Sequence, residues 1–598
     1  MRTESGRIER DGRGKGFGGR QFFSGSSLMS LDVNLVIGGE AGQGLVTIGQ
    51  LLSRVLVRAG HEILVTQSYH SRIRGGHNTF AIRFGSGRFF APRESIDILV
   101  ALNAETVDLH RDQLTGRALL VADRSYAPAV PGAVAVPFAE LGPERLWNTG
   151  ALGLLGSILG FSPETLFAAV EAMLGDKHPE ALAENREILQ AGHAWAASYA
   201  PPHDFTLPDS GVAPGQERLL LNGNEAIALG ALAGGLKFCA FYPMTPATSV
   251  VLAIIAHSDA MGCVVEQAED EIAAVNMAIG AGFAGAPGMV ATSGGGFALM
   301  VEGVSLAGMT ETPLLLVVAQ RPGPATGLPT RTEQADLEFV LHAGHGEFPR
   351  AIFAPGSVED CFHLTGRALH LAERCQSPVF LLTDQFLADA SRPVALSALD
   401  GITPVRAGDE ADGVAAPYQR YQITENGLSP RLLPGMSEHL VVADSDEHDE
   451  AGHITEDLGL RVRMVEKRLK KLDILQEETL PPSLDGERGA DLLLVCWGSS
   501  QGPVLEAAAV LRGQGRGVSV LHFAQVWPLV PSQFLPFLAA AKTVVCVEGN
   551  ATAQFARLLQ RETGFAVSGR ISRYDGLPFT ARYILERLAG AEERRQLW

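Results

Sequence analysis

Between Phe238 and Arg331, short continuous apolar runs alternate with turns that gather glycine, proline and polar side chains. Apolar runs of this kind, separated by helical patterns, mark strands buried on both faces of a parallel sheet. The stretch therefore predicts an open α/β sheet rather than a helical bundle or an antiparallel sandwich.

The polar turns fall at the strand ends. Tyr242-Pro243-Met244-Thr245-Pro246 closes one predicted strand, and the acidic run Glu266-Gln267-Ala268-Glu269-Asp270-Glu271, read as helix, follows the next. Thr292-Ser293-Gly294-Gly295-Gly296-Phe297 closes a third strand and Gln320-Arg321-Pro322-Gly323-Pro324-Ala325-Thr326-Gly327 a fourth. Successive strand ends are where open α/β sheets hold ligands.

Each motif has an ordinary reading beside a chemical one. Glu266, Glu269, Asp270 and Glu271 suit a helix N-terminus through its dipole. A helix whose faces are alanine and glycine lies inside the protein, however, so one carboxylate should be partly buried and available for acid–base work. Two prolines hold the Thr245 hydroxyl at a fixed angle, or simply bound a turn. Arg321, followed by a loop carrying Thr326 and Thr330, suits bidentate binding of a carboxylate. It would equally serve as a capping or interface arginine.

The same alternation extends along the chain. Residues 1–29 carry basic side chains and no apolar period and read as a disordered tail, with Met29 a candidate start. Residues 30–200 form a first α/β domain, in which Val33–Gly44 reads as strand and glycine loop before a helix, suited to an anion. Residues 201–216 read as a linker, 217–395 as the second α/β domain, 396–487 as an irregular inter-domain arm and 488–598 as a third α/β domain. A formal charge of 48 − 67 = −19 argues against nucleic acid. The same acidic balance favours a well-solvated cytoplasmic protein, and no apolar run is long enough for a membrane span. The six cysteines are scattered without CxxC spacing, which argues against a disulfide framework or a cluster held by this chain. Glu447-His448-Asp449-Glu450 with His453 is read as a solvated acidic loop, and no metal site is expected.

Taken in order, YPMTP, VVEQAEDEIAAVNMAIGA, TSGGGF and QRPGPATGLPTRTEQ resemble the α subunit of 2-oxoacid:ferredoxin oxidoreductases. GGEAGQG with Ser68-Tyr69-His70-Ser71-Arg72-Ile73-Arg74-Gly75-Gly76 resembles that family's γ subunit, fused in front. RYQITENGLSPRLLPG, EHDEAGH and DGLPFT look like its 2-oxoglutarate-type members. The resemblance implies a γ-type domain at 30–200 and a transketolase-like, pyrimidine-binding thiamine diphosphate domain at 217–395. It implies a transketolase C-terminal-like domain at 488–598. By the same resemblance Glu271 holds the thiamine ring nitrogen, with Tyr242 and Pro243 beside it. Thr245, Arg321, Thr326 and Thr330 contact the substrate, and Gly39, Gly42, Gly44 and Arg74 contact coenzyme A. Met244, Ala247, Pro322 and Ala325 depart from the commoner residues of the family.

No GDG with a downstream asparagine is present to hold Mg2+ and diphosphate. The resemblance therefore places Mg2+ and a [4Fe–4S] cluster on a β subunit. The thiamine diphosphate would be shared with that subunit, ferredoxin would dock on it, and coenzyme A would be the co-substrate. A dimer of heterodimers is implied. 2-Oxoglutarate is the expected substrate; pyruvate, branched-chain or aryl 2-oxoacids, a thiamine enzyme without ferredoxin, and a non-catalytic scaffold stay open.

Overall fold

The computed structural model describes residues 31–69, 76–85, 87–128, 132–175, 178–199, 204–207 and 217–594. The tail at 1–29, the candidate start Met29 and Arg74 lie outside the described residues. The first strands are β1 (Asp32–Glu40), β2 (Glu62–Ser68), β3 (His77–Gly85), β4 (Ile96–Ala101), β5 (Leu114–Asp123) and β6 (Ala133–Val136). Next come β7 (Arg218–Asn222), β8 (Phe238–Phe241), β9 (Val264–Gln267), β10 (Gly288–Thr292), β11 (Leu314–Gln320), β12 (Ala351–Phe353), β13 (Pro378–Asp384) and β14 (Ser391–Ala395). The last are β15 (Ser483–Asp485), β16 (Leu492–Trp497), β17 (Val518–Phe523), β18 (Gln525–Trp527), β19 (Thr543–Glu548) and β20 (Gly569–Ser572).

They form three sheets, in the orders β6-β5-β4-β1-β3-β2-β14-β7, β18-β12-β13-β11-β10-β8-β9 and β15-β17-β16-β19-β20. The central strands of the second sheet, β8, β10, β11, β13 and β12, run parallel, and every residue of β10, β11 and β13 is buried. Continuous apolar sequence and two covered faces are the same fact seen twice. The edge strand β9 is largely exposed.

The two strands that bracket the expected 217–395 unit do not belong to its sheet. β7 and β14 pair along five residues, and Ser391 opposite Val65 joins them to β2, so they extend the first sheet. Likewise β18 pairs with β12 and closes an edge of the second sheet from within the third unit. Each unit is thus tied to its neighbour by backbone hydrogen bonds.

The arm is irregular from 400 to 457 and then enters a helix, Leu458–Glu477. Lys467, Arg468 and Lys471 of this helix face inward, while Arg461, Arg463 and Lys470 stay exposed. Lys467 and Lys471 are buried and both meet Glu311, at 2.6 and 2.5 Å, while Arg420 donates to the Glu311 carbonyl at 2.8 Å. Burial would raise the Glu311 carboxyl, but Lys471, Lys467 and Arg420 outweigh it and hold it well below the usual range. Burial pushes Lys467 down to about 8.

The acidic loop at 447–453 is docked rather than solvated, which corrects the expectation. Arg468 donates to both Glu447 oxygens at 3.0 and 2.9 Å, and Arg461 also pairs with it. His448 is fully buried with its ring 4.0 Å from that of Tyr421. Charge patterning showed the acids but not the arginines that neutralise them from the next helix. Among the described residues no helix is long and apolar enough to cross a membrane.

Candidate active site

Strands β11, β10, β8 and β9 are consecutive neighbours, and the four motifs follow their C-terminal ends. At about 4.8 Å per strand the motifs share one edge roughly 15 Å wide.

The acidic run is only partly helical. Glu266 and Gln267 end β9, and the Glu271–Phe283 helix starts after Asp270, whose side chain accepts from the Ala273 amide at 2.7 Å. Capping of the helix start therefore falls to Asp270. Glu266, Glu269 and Asp270 stay exposed, whereas Glu271 turns inward to 3% exposure. Its Oε1 is buried without a hydrogen-bond partner. A carboxylate oxygen in that state calls for a donor.

The glycines after β10 are the first turn of a helix, Gly294–Met309, not a loop. Each costs about 1 kcal/mol relative to alanine, and close approach explains two of them. A Cβ on Gly296 would lie 2.3 Å from Thr292 Oγ1 and 2.6 Å from Glu271 Oε1, and one on Gly294 would lie 2.5 Å from Asp336 Oδ2. The Gly296 amide donates to Met244 Sδ at 3.2 Å, which ties the YPMTP turn to this helix.

Arg321 is brought to Thr245: its Nη1 donates to the Thr245 carbonyl at 2.8 Å, while its Nε is buried without a partner. Burial lowers the guanidinium pKa, and Asp336 opposes the shift. Asp336 in turn is pushed up to about 6, by burial foremost, with Arg321 opposing, and its Oδ2 has no partner. Glu333 is also raised to about 6, by burial and then by Asp336.

The loop after Arg321 closes on itself, with the Leu328 amide on the Pro322 carbonyl at 3.0 Å. Gly327 has φ +53°, and a Cβ there would lie 1.8 Å from that carbonyl oxygen, so only glycine fits. Thr326 is exposed and Thr330 half-buried, and neither side chain hydrogen-bonds among the described residues; the structure does not bring them onto Arg321. Tyr242 and Pro243 are exposed at the mouth of the site. Beyond the loop, Arg331 donates to Ser68 Oγ at 2.6 Å and the Thr332 amide to the Gly576 carbonyl at 3.2 Å. All three units meet there.

Gly39 to Gly44 open from the same edge of the first sheet as Ser68, since Glu40 lies opposite His77 and Ser68 opposite Thr79 on β3. The loop is two strands, about 10 Å, from Ser68. Gln43 folds back so that its Oε1 accepts from the Glu40 amide at 2.8 Å, and Gly42 and Gly44 have positive φ. Gly39 is covered by Gln43 and Leu102, so the loop's amides are partly used internally.

The helices that begin at Glu271 and Gly294 carry apolar residues outward. Ile272, Met277 and Leu299 are 52%, 42% and 52% exposed, and Val264 on the neighbouring edge strand is 60% exposed. Exposed apolar side chains grouped beside a site mark an interaction surface. Sequence reading missed Asp336 and Met244 as members of the site. An aspartate just before the short helix Leu337–His342, or a methionine between prolines, carries no local signal of its partner.

Residues 229–467 match the family described as pyruvate flavodoxin/ferredoxin oxidoreductase, thiamine diP-bdg, and residues 34–195 match pyruvate ferredoxin/flavodoxin oxidoreductase. A 2-oxoacid:ferredoxin oxidoreductase subunit alpha from Sulfolobus sp is 31% identical over 91% of this chain and 94% of its own. The 2-oxoglutarate oxidoreductase subunit KorA of Mycobacterium tuberculosis is 30% identical over 93% and 92%. Among solved structures, the 2-oxoglutarate:ferredoxin oxidoreductase from Magnetococcus marinus, with 2-oxoglutarate, coenzyme A and succinyl-CoA bound, superposes with a TM-score of 0.87. It is 31% identical, and the match covers 94% of this chain and 99% of that one.

Proposed function

Since the chain belongs to the alpha-subunit family of the 2-oxoacid:ferredoxin oxidoreductases, we propose that it serves the oxidative decarboxylation of 2-oxoglutarate with coenzyme A, or the reverse. The products are succinyl-CoA and CO2, and two electrons pass to ferredoxin. The choice of 2-oxoglutarate is supported by the KorA relative and by the Magnetococcus enzyme.

The observation that carries the reading is Glu271: a buried carboxylate whose Oε1 lacks a partner, against a glycine that leaves room. That arrangement fits a cofactor ring with a nitrogen able to share a proton. Thiamine diphosphate, when bound, supplies the electron sink for cleaving the bond beside a 2-oxo group. This chain's own part is to hold a proton at Glu271 Oε1 and to leave space at Gly296. Arg321, with its Nε unpartnered and its Nη1 on the Thr245 carbonyl, binds the substrate carboxylate, and the Thr245 hydroxyl is assigned to the same substrate. Thr326 and Thr330 would reach the substrate only if the loop shifts on binding. The Gly39–Gly44 loop, on the sheet edge shared with Ser68, is the coenzyme A side.

Mg2+, diphosphate and a [4Fe–4S] cluster are assigned to a β subunit docked on the apolar face of Ile272, Met277 and Leu299. Ferredoxin is assigned to that subunit, and the whole to a cytoplasmic dimer of heterodimers. The test is coenzyme-A-dependent reduction of ferredoxin or a viologen dye by the purified complex. Highest kcat/KM with 2-oxoglutarate is expected. A higher value with pyruvate, a branched-chain or an aryl 2-oxoacid overturns the substrate, and no reduction with any 2-oxoacid overturns the reaction.

A further inference from the structure

Farther along the strand-end edge that carries Arg321, past β13 and β12, a cavity of about 320 Å³ lies where the three units meet. Its apolar wall comes from Leu64 and Phe89 of the first, Phe386 and Leu387 of the second and Leu505 of the third. Leu64 stands near the start of β2, and the lining contains none of Thr245, Glu271, Arg321 or the Gly39–Gly44 loop. Its size and apolar lining at a domain junction are those of a small-molecule site.

Two charged groups in the lining are left incomplete. Glu359 pairs with Arg392 through Oε1 at 3.3 Å, but its Oε2 is buried and has no hydrogen-bond partner. Arg88 is exposed at the rim and has no ion-pair or hydrogen-bond partner among the described residues. Arg392 is occupied, by Glu359 and by the Phe90 ring 5.2 Å away. The neighbouring Asp360 is also engaged, accepting from the Gly356 amide at 3.1 Å. One acceptor and one cation therefore remain beside an apolar chamber.

We propose that this cavity binds an apolar α-amino acid as its zwitterion. The ammonium meets Glu359 Oε2, the carboxylate meets Arg88, and the side chain fills the space between Phe89, Phe386 and Leu505. A simple carboxylate would satisfy Arg88 and set a negative charge against Glu359. A simple amine would leave Arg88 unmatched, and a polyphosphate would be repelled by the acid.

The test is calorimetric titration of the full-length chain, purified with any co-purifying subunit, with L-leucine and L-phenylalanine. The single-charge analogues 4-methylpentanoate and 3-methylbutylamine are titrated in parallel. Saturable binding of an amino acid is expected, with each analogue at least tenfold weaker. Arg88→Ala should weaken the amino acid at least tenfold and leave the amine unchanged. Glu359→Gln should do the converse, and Leu505→Trp should abolish binding by filling the chamber without touching either charge. Absence of saturable heat with both amino acids overturns the proposal, as does a loss under tenfold in both charge variants. Arg88 is exposed and makes no ion pair or hydrogen bond among the described residues, so its variant reports binding even if Glu359→Gln misfolds. Turnover of the 2-oxoacid is independent of these outcomes.

Discussion

Glu271 Oε1 lies where a Cβ on Gly296 would come within 2.6 Å, so the first residue of one helix rests its carboxylate on the bare first turn of the next. The two residues follow strands β9 and β10, which are separated by β8, and only the sheet order brings them together.

Gly296→Ala should therefore push Glu271 and Thr292 aside. Overpacking of this kind costs about 1–3 kcal/mol, and turnover should fall at least tenfold. Gly295→Ala is the control, because its nearest neighbours would be 3.7 and 4.0 Å away. Urea unfolding of the two variants should differ, and equal stability would mean that the close approach relaxes freely.

Glu271→Gln keeps the shape and replaces an oxygen acceptor by an amide. Turnover should be lost while the melting temperature is unchanged or higher, since the unpartnered carboxylate stabilises nothing in the folded chain. Wild-type turnover in this variant would end the proposed role of Glu271.

Arg321→Ala removes the guanidinium that the substrate carboxylate is expected to meet. Breaking a desolvated ion pair costs about 3–5 kcal/mol, or roughly two to three decades in kcat/KM. Steady-state kinetics showing less than a threefold loss would mean that Arg321 only anchors the Thr245 turn.

Asp336 is pushed up to about 6 from an ordinary value near 3.8. A carboxyl raised in the folded state binds its proton more tightly there, so stability falls as pH rises from about 4 to about 6 and then levels. Asp336→Asn should remove that loss, of the order of 3 kcal/mol, at pH 7.5 and change little at pH 4. Denaturant unfolding at the two pH values decides it; an equal effect at both would show that the charge is not the cause.

Among the described residues, Glu311 is the one carboxylate facing Lys467, Lys471 and Arg420. Glu311→Gln leaves buried cations without a counter-charge and should cost about 3–5 kcal/mol. The arm at 400–457 should then become sensitive to limited proteolysis. Lys467→Met should cost less, because it leaves one carboxylate with fewer cations. The reverse ranking would show that Glu311 is not the arm's anchor.

The alternation of apolar runs and polar turns was enough to read the α/β class, the parallel strands at the centre of the second sheet and the edge on which Thr245, Glu271, Gly296 and Arg321 meet. Those features are local: a strand buried on both faces must be continuously apolar, and the turn after it must tolerate backbone approach. The tertiary structure alone decided which of four neighbouring acids turns inward, that β7 and β14 join the first sheet, and that the loop at 447–453 is neutralised by Arg461 and Arg468. It also brought Glu311 to Lys467, 156 residues away. Period and composition report what each residue needs, burial or water, but an ion pair or an orphaned carboxylate is defined by a partner, and the partner is chosen only when the sheets close.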